Sequence, residues 1–196
     1  YIWRWDTDWF WCSKNFGLHR RWWRRLWGKA RLNSRTYSKI MLFARKHKWL
    51  QLLRDKISTK KEWVIQDTMI PLEKAVDFYH FFDEIIGIKP VWLCPVKSFN
   101  NQHCFPFFNC KKEQLFINFG YWDAVFQKNT ANHHNRIIES KVDQLKGHKS
   151  LYSSIHYTEE EFWKIYNKDL YHSLKTQYDP HNKLPSWYQK ISNKGK

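Results

Sequence analysis

The stretch Trp63-Val64-Ile65-Gln66-Asp67-Thr68-Met69-Ile70-Pro71 is the part of the sequence that decides the fold. It is strand-like, and Pro71 closes it because proline cannot donate to a sheet ladder. Apolar residues then recur at helical spacing up to Gly87, which is expected to end a helix; they are Leu72, Val76, Tyr79, Phe82 and Ile86. Gln66 and Asp67 interrupt the apolar strand, and such polar groups matter chemically where a strand lines a pocket.

Further elements are predicted on both sides of this strand and helix. Upstream, alternating tryptophans predict a strand over 3–11, and a basic amphipathic pattern predicts a helix over about 35–57. Downstream, we expect a short buried strand over 91–96 with Cys94 in the core, strands over 115–121 and 151–156, and helices over 133–145 and 159–176. Thr158 and Glu161 form a capping box for the last helix. This order predicts an α+β fold in which an antiparallel sheet has flanking helices, close to a split-βαβ pattern.

The composition excludes several classes of protein. The chain has 196 residues, of which 42% are apolar and 19% aromatic, and this content excludes disorder. Six Gly and six Pro exclude a collagen or a linker, and no apolar run is long enough for a transmembrane helix. Four cysteines favour reduced thiols and a cytoplasmic location. No secretory leader is visible, and the dense opening after Tyr1 predicts a cut through a larger protein.

The positive charge is concentrated in the first third of the chain. Residues 1–62 hold 17 Lys/Arg and 4 Asp/Glu (17 − 4 = +13), whereas residues 63–196 hold 17 and 14 (17 − 14 = +3). The densest cluster consists of Arg20, Arg21, Trp22, Trp23, Arg24, Arg25 and Trp27. Three interpretations are open: a solvated surface, an anionic membrane surface, or nucleic acid. No zinc-finger, helix-turn-helix or RNA-recognition signature supports a specific nucleic-acid partner.

Most familiar catalytic motifs are absent from the sequence. There is no Gly-rich dinucleotide or phosphate loop and no nucleophile elbow. No metal is predicted, because the spacing of His103, Cys104, Cys110 and the 133–134 histidine pair matches no zinc pattern. His156 and Tyr157 precede the capped helix, where Tyr could donate a proton and His could relay it. The alternative is that Tyr157 is the apolar residue that staples the helix start.

Three segments, in this order, resemble the C-terminal half of the FAD-linked Delta24-sterol reductase (Diminuto-like) proteins. The first is Trp63-Val64-Ile65-Gln66-Asp67-Thr68-Met69-Ile70-Pro71-Leu72, and the second is Pro90-Val91-Trp92-Leu93-Cys94-Pro95. The third runs from Leu151-Tyr152 through Tyr157-Thr158-Glu159-Glu160-Glu161-Phe162-Trp163 and continues to Leu170-Tyr171-His172 and Leu184-Pro185-Ser186-Trp187-Tyr188-Gln189-Lys190-Ile191. The opening, residues 3–12, is similar to the bacterial branch of these proteins. Residues 174–184 look like the closing motif of the wider vanillyl-alcohol-oxidase superfamily.

The resemblance implies an N-terminal FAD-binding domain, then a substrate-binding cap, then a return to the flavin domain. Residues 1–149 would be the cap and residues 150–196 the return segment. The Gly-rich FAD-binding half would be missing, so this fragment alone is expected to be inactive.

The implied chemistry is hydride transfer between flavin N5 and an apolar, sterol- or lipid-like substrate. Tyr157 and His156 are the expected catalytic groups, and Gln66 and Asp67 are expected next to the substrate or flavin. The alternative function is a stand-alone basic, Trp-rich module that binds a lipid or a membrane without catalysis, peripheral at the inner membrane.

Overall fold

The structure is a computed structural model that describes residues 20, 22, 25–26, 34–47, 49, 52, 61–98, 105–108, 113–127 and 130–192. The chain divides into two compact units, Tyr1–Lys61 and Glu62–Lys196. In the first unit, helix α1 spans Ser34–Lys46 and confirms the first part of the predicted basic helix. Most of 48–60 and the predicted strand over 3–11 lie outside the described residues. None of the described helices combines the length and hydropathy that crossing a membrane requires.

The second unit is built on a four-stranded antiparallel sheet. Its strands are β1 (Lys61–Pro71), β2 (Trp92–Lys97), β3 (Leu115–Phe126) and β4 (His148–Lys149), in the order β2-β3-β1-β4. Helix α2 (Ala75–Phe81) follows β1, between a 3-10 turn at Leu72–Lys74 and a π-helical turn at Phe82–Ile86. Helix α3 (His133–Gln144) follows β3. The predicted α+β class and the helix end at Gly87, which has φ +69°, are both confirmed.

The two faces of the sheet have different surroundings, because successive side chains of a strand point to opposite faces. Even-numbered residues of β1 are buried, and the odd-numbered ones from Trp63 to Met69 are exposed or half-buried. The buried face packs against α2 and α3 through a core that includes Val64, Ile70, Phe78, Phe82, Phe119, Tyr121, Ile138 and Val142. We call this the helix face. The opposite, outward face carries Trp63, Ile65, Asp67, Met69, Trp92, Cys94, Val96, Phe116, Asn118, Gly120 and Trp122.

A second, smaller core is formed by the segment after β4. Its helices are α4 (Glu159–Ile165), α5 (Lys168–Tyr178) and α6 (Trp187–Ile191). Its buried side chains are Ile155, Phe162, Tyr166 and Tyr188. The predicted capping box of Thr158 and Glu161 is confirmed, and Ser186 with Gln189 forms another at α6. Each box satisfies backbone N–H groups that the first turn of a helix leaves without partners.

The closing motif over residues 174–184 is held together by one carboxylate. Asp179 accepts hydrogen bonds from the Lys175 ammonium and from the backbone N–H groups of Lys183 (2.9 Å) and Leu184 (3.0 Å). These hydrogen bonds lower the pKa of Asp179, and the bond from the Lys175 ammonium contributes most. Residues 174–178 of the motif therefore end α5, and residues 179–184 form a turn organised around an ionised Asp179.

The predicted strand over 151–156 is wrong, since this segment is irregular and the strand is the short β4. The cause is that side chains, rather than a neighbouring strand, satisfy its backbone. Lys149 Nζ donates to the carbonyl oxygen of Ser154 at 2.6 Å. The backbone N–H of His156 donates to both carboxylate oxygens of Glu139, at 3.0 and 3.1 Å.

Two further expectations need correction. The single helix predicted over 159–176 is two helices, because the side chain of Asn167 accepts a hydrogen bond from the backbone N–H of Leu170 and begins α5 there. Strand β2 lies at the edge of the sheet and is largely exposed, so it is not the buried strand predicted. Cys94 is consequently a half-buried thiol on the outward face and not a core residue.

Candidate functional site

Asp67 lies on the outward face, in a row with Gly120 of β3 and Trp92 of β2. Trp92 is the register partner of Gly120, and a Cβ added to Gly120 would collide with the Asp67 carboxylate. Glycine therefore lets the carboxylate lie close against the neighbouring strand, a known use of glycine inside strands. Asn118 Nδ2 donates to Asp67 Oδ1 at 3.3 Å. Two residues of β3, Asn118 and Gly120, thus fix the position of the Asp67 carboxylate.

Tyr152 adds a hydroxyl group to this carboxylate. The backbone N–H of Ser150 donates to the carbonyl oxygen of Asp67 at 2.9 Å, which places the segment after β4 beside β1. Burial, the charge of Asp67 and a hydrogen bond to it raise the pKa of Tyr152 to about 12. The hydroxyl therefore stays protonated at neutral pH and can donate. We call Asp67, Asn118, Gly120 and Tyr152 the Asp67 centre.

Large apolar side chains surround the Asp67 centre and remain in contact with water. Trp63, Ile65, Trp92 and Trp122 are between 41% and 56% exposed. Contiguous exposed apolar surface around a few fixed polar groups is typical of a ligand site. The Oδ1 atom of Asn118 is buried and has no hydrogen-bond partner among the described residues, so the centre also holds an unused acceptor.

The side chains of Gln66 and Asp67 lie on opposite faces of the sheet, although the two residues are adjacent in sequence. The Gln66 side chain is buried on the helix face, where Nε2 donates to Asn135 Oδ1 at 2.5 Å. Asn135 Nδ2 in turn donates to Glu62 Oε1 at 2.8 Å. The pleat of β1 separates Gln66 from Asp67, so the structure does not bring these two predicted site residues together.

Glu62 belongs to this same network and caps helix α3. It accepts from the backbone N–H groups of His134 (3.0 Å) and Asn135 (2.8 Å), and lies 2.9 Å from His134 Nδ1. Burial alone would raise the pKa of Glu62, but these hydrogen bonds outweigh it, and the pKa is lowered. Gln66 therefore lies in a network that stabilises the packing of α3 on the sheet.

His156 and Tyr157 line a separate cleft between α3 and α4. The cleft has a volume of about 270 Å³ and is lined by Arg136, Glu139, Ser140, Asp143, His156, Tyr157, Glu161, Lys164 and Ile165. None of these lies on the outward face. Burial, with the charges of Lys149 and Arg136, lowers the pKa of His156 to about 4, so its ring is neutral at pH 7. Burial, with nearby acidic groups, raises the pKa of Tyr157 well above its usual range.

Tyr157 also packs against the second core, as expected of a residue that staples a helix start. Its backbone carbonyl accepts a hydrogen bond from the Tyr188 hydroxyl at 3.0 Å. The two predicted catalytic residues are therefore close to one another but not part of the Asp67 centre.

A buried ion pair lies next to this cleft. Lys149 Nζ is 2.6 Å from Glu139 Oε1, and the two side chains are 0% and 3% exposed. Burial raises the pKa of Glu139 and lowers that of Lys149, although each partner opposes the shift of the other. The pair joins α3 to β4 and to the backbone of 154–156. Sequence reasoning missed it, since neither residue belongs to a recognisable motif.

The basic cluster of the first unit is described only in part. Arg20, Trp22 and Arg25 are exposed, whereas Arg21, Trp23, Arg24 and Trp27 lie outside the described residues. In the described part of the chain no three His, Cys, Asp or Glu side chains are placed to hold a metal ion. The sequence candidates at 103, 104 and 110 are not among the described residues.

Sequence reasoning also missed three members of the Asp67 centre, namely Asn118, Gly120 and Tyr152. One signal was available, because a glycine inside the predicted strand over 115–121 often marks the close approach of another group. No local pattern indicated that this group would be Asp67, 53 positions earlier in the chain.

No family model and no solved structure matches the chain. Curated relatives do. The human Delta(24)-sterol reductase is 28% identical over 129 residues, covering 65% of this chain and 25% of the relative. The Delta(24)-sterol reductase homolog of Caenorhabditis elegans is 25% identical over 135 residues, which cover 68% of this chain and 25% of the relative. The Delta(24)-sterol reductase of Arabidopsis thaliana is 25% identical over 150 residues, which cover 68% of this chain and 27% of the relative. The chain is thus Delta(24)-sterol reductase-like in sequence, and it spans about a quarter of the length of these relatives. The similarity of residues 3–12 to a bacterial branch stays a prediction.

Proposed function

We propose that this Delta(24)-sterol reductase-like chain is the substrate-binding part of an FAD-dependent oxidoreductase. Its substrate would be an apolar, sterol- or lipid-like molecule, on which a C=C bond is reduced or formed. The observation that carries the proposal is the outward face, where exposed tryptophans surround a fixed carboxylate. The names of the relatives support the reaction class.

The residues of this chain suit one part of FAD and not the other. The diphosphate of a dinucleotide needs a Gly-rich loop or a helix N-terminus that opens from one, and the sequence has no such loop. The outward face, by contrast, offers exposed indole rings, which suit a planar aromatic ring or an apolar substrate. We therefore expect FAD to be held mainly by residues outside this chain, in a protein about as long as the relatives. When bound, FAD supplies the hydride transfer at N5.

The Asp67 centre would orient the substrate and handle the proton. The Tyr152 hydroxyl is protonated at neutral pH and is oriented by its hydrogen bond to the Asp67 carboxylate, which Asn118 holds in turn, so it can donate a proton. His156 and Tyr157 are the rival pair for this role, since they also combine an acceptor and a donor. The exposed apolar surface favours the Asp67 centre, because the 156–157 cleft is lined mainly by charged side chains.

The test compares Tyr152→Phe with Tyr157→Phe in the FAD-loaded protein that contains this chain. The measurement is the rate of change of flavin absorbance in a single turnover with a sterol substrate. Tyr152→Phe is expected to slow the rate about 100-fold or more, the usual contribution of a general acid. Tyr178→Phe, on an exposed ring of α5, is the control.

Two outcomes would contradict the proposal. A protein that binds no FAD would remove the oxidoreductase function. A slow Tyr157→Phe variant beside an unaffected Tyr152→Phe variant would move the site to the cleft between α3 and α4.

A second function has its own observation in helix α1. Arg35, Lys39 and Lys46 share one stripe of the helix with the exposed Leu42, and the exposed Ile40 and Phe43 lie on the adjoining stripe. No acidic residue occurs in the helix. A basic amphipathic helix with exposed apolar side chains suits a membrane surface that carries anionic lipids.

Co-sedimentation with lipid vesicles tests this second function. The chain is expected to bind vesicles that contain phosphatidylserine and to bind neutral phosphatidylcholine vesicles much less. The double change Arg35→Glu and Lys39→Glu should abolish the difference. Equal binding to both vesicle types, or retention of binding by the double variant, would remove α1 from a membrane role.

A further inference from the structure

We propose that the cleft between α3 and α4 is a second ligand site, which binds a small zwitterion with its anionic group at Arg136 and its cationic group at Asp143. The site is additional to the proposed function, since the cleft is separate from the Asp67 centre, and it needs no FAD. The cleft volume of about 270 Å³ is about nine times that of a water molecule in the liquid. It therefore has room for a ligand of about nine non-hydrogen atoms.

The two charged ends of the cleft lie on one face of helix α3. Arg136 and Asp143 are seven residues apart, which is close to two full turns, and Ser140 lies between them on the same face. Two turns correspond to about 10 Å along the helix axis. The helix dipole has the same polarity, because the N-terminal end near Arg136 favours anions and the C-terminal end near Asp143 favours cations.

Arg136 forms the anion-binding end. It is the only arginine in residues 62–196, which contain sixteen lysines. Its Nη1 donates to the backbone carbonyl oxygen of His156 at 3.2 Å, and its other N–H groups have no partner among the described residues. The planar guanidinium suits the two oxygens of a carboxylate. The other cation of the cleft, Lys164, is already paired with Glu160 at 2.7 Å.

The two carboxylates near Arg136 are engaged with other groups. Glu139 is 2.6 Å from the buried Lys149 ammonium. Glu161 accepts a hydrogen bond from the backbone N–H of Thr158 at 2.7 Å, as part of the capping box of α4. Arg136 is therefore left without an ion-pair partner among the described residues, and its charge is available to a ligand.

Asp143 forms the cation-binding end. It is exposed in the last turn of α3, and its carboxylate has no hydrogen bond or ion pair among the described residues. Its charge is one of those that raise the pKa of Tyr157, which places Tyr157 near this end of the cleft. The Tyr157 hydroxyl can accept a hydrogen bond from an ammonium group. The Tyr157 ring and Ile165 offer apolar surface to the chain that joins the two charges of the ligand.

Amino acids with the two charges at opposite ends of a chain test this inference on the 196-residue chain, without FAD. Isothermal titration calorimetry would measure the affinities of glycine, 4-aminobutyrate and 6-aminohexanoate, together with the singly charged hexanoate and hexylamine. We expect 6-aminohexanoate to bind about tenfold or more tightly than glycine or either singly charged compound. The reason is that only a long zwitterion can contact Arg136 and Asp143 at once.

Two neutral variants assign the ends of the ligand. Arg136→Gln should weaken the binding of 6-aminohexanoate and hexanoate about tenfold and leave that of hexylamine unchanged. Asp143→Asn should weaken 6-aminohexanoate and hexylamine by a similar factor and leave hexanoate unchanged. Lys168→Gln and Asp169→Asn remove the same charges at exposed positions of α5 and should change none of the affinities.

Glu161→Gln should have the opposite effect on the anionic end. Glutamine also completes a capping box, so the start of α4 is preserved. The change removes a negative charge that lies near enough to Arg136 for each to influence the other, so hexanoate should bind more tightly.

Blocking the middle of the cleft gives an independent measurement. Ser140→Trp, between the two charged ends, should weaken 6-aminohexanoate at least about tenfold. Ser173→Trp, the same change at an exposed position of α5, is the matched control.

The inference is overturned if 6-aminohexanoate binds no more tightly than glycine, or if Arg136→Gln and Asp143→Asn both bind it as tightly as the parent chain. These results would leave the flavin measurement on Tyr152→Phe unaffected. Conversely, a protein without FAD chemistry could still bind the zwitterion in the cleft. The two proposals can therefore fail separately.

Discussion

Lys149→Met should be among the most destabilising single changes in the second unit. The Lys149 ammonium is completely buried and donates to Glu139 and to the carbonyl oxygen of Ser154, both at 2.6 Å. Methionine keeps the length of the side chain but leaves the Glu139 carboxylate buried, with the N–H of His156 as its remaining hydrogen-bond donor among the described residues and the charge of Arg136 nearby. Removing one partner of a buried ion pair costs about 3–5 kcal/mol. We expect a loss of that size in the free energy of unfolding near neutral pH.

The pH dependence of this loss gives a second, independent readout. Without Lys149, the folded-state pKa of Glu139 rises further above its unfolded value, so the folded variant binds more protons between these two pKa values. Its stability therefore increases as the pH falls through that window. The destabilisation should be smaller at about pH 5 than at about pH 8.

Urea unfolding followed by tryptophan fluorescence would measure both effects. The double variant Lys149→Met with Glu139→Gln removes both charges but keeps an acceptor for His156, and it should recover about half of the loss. Lys164→Met is the matched control, because its pair with Glu160 is on the surface and should contribute nothing measurable. A loss below about 1 kcal/mol for Lys149→Met, or a double variant no more stable than the single one, would refute the reasoning.

Three further predictions use the same unfolding assay. Glu62→Gln should cost about 1 kcal/mol at neutral pH, as for a lost helix cap. Because the folded-state pKa of Glu62 is lowered, the stabilisation by its carboxylate is present above about pH 4.5 and is lost as the pH falls through the folded-state pKa. The variant should lack this part of the acid dependence of stability. Gly120→Ala should cost about 1–3 kcal/mol through the clash with Asp67, and adding Asp67→Ala should restore much of it; additive losses would contradict the contact. Thr158→Ala should cost about 1 kcal/mol and Thr158→Ser almost nothing, since serine preserves the capping hydroxyl; equal losses would exclude a capping role.

The elements that were predicted correctly are those whose signals are local. The strand at 63–71, the helix that ends at Gly87 and the capping box at Thr158 each depend on residues within a few positions of one another. The strand predicted over 151–156 failed because side chains of Glu139 and Lys149 replace a strand partner there. Such partners lie outside any window that a periodicity can cover.

The candidate site was predicted only in part, for the same reason. Asp67 was identified because a carboxylate interrupts an apolar strand, and Gln66 was identified by the same rule although it faces the helices. The alternation of a strand shows that two neighbours point to opposite faces, but not which face meets the core. Packing against α2 and α3 made that choice and left Asp67 on the outward face.

The sequence by itself determined the α+β class, the concentration of positive charge in the first third, and the likeness to Delta(24)-sterol reductases. These follow from composition, short-range periodicity and residue order, which do not depend on how the chain is packed. Only the tertiary structure decided that Asp67, Asn118 and Tyr152 meet, and that Lys149 and Glu139 form a buried pair. The physical reason is that a hydrogen bond or an ion pair depends on distances of about 3 Å. Between residues as far apart in sequence as Asp67 and Asn118, such distances are set by the packing of the helices on the sheet.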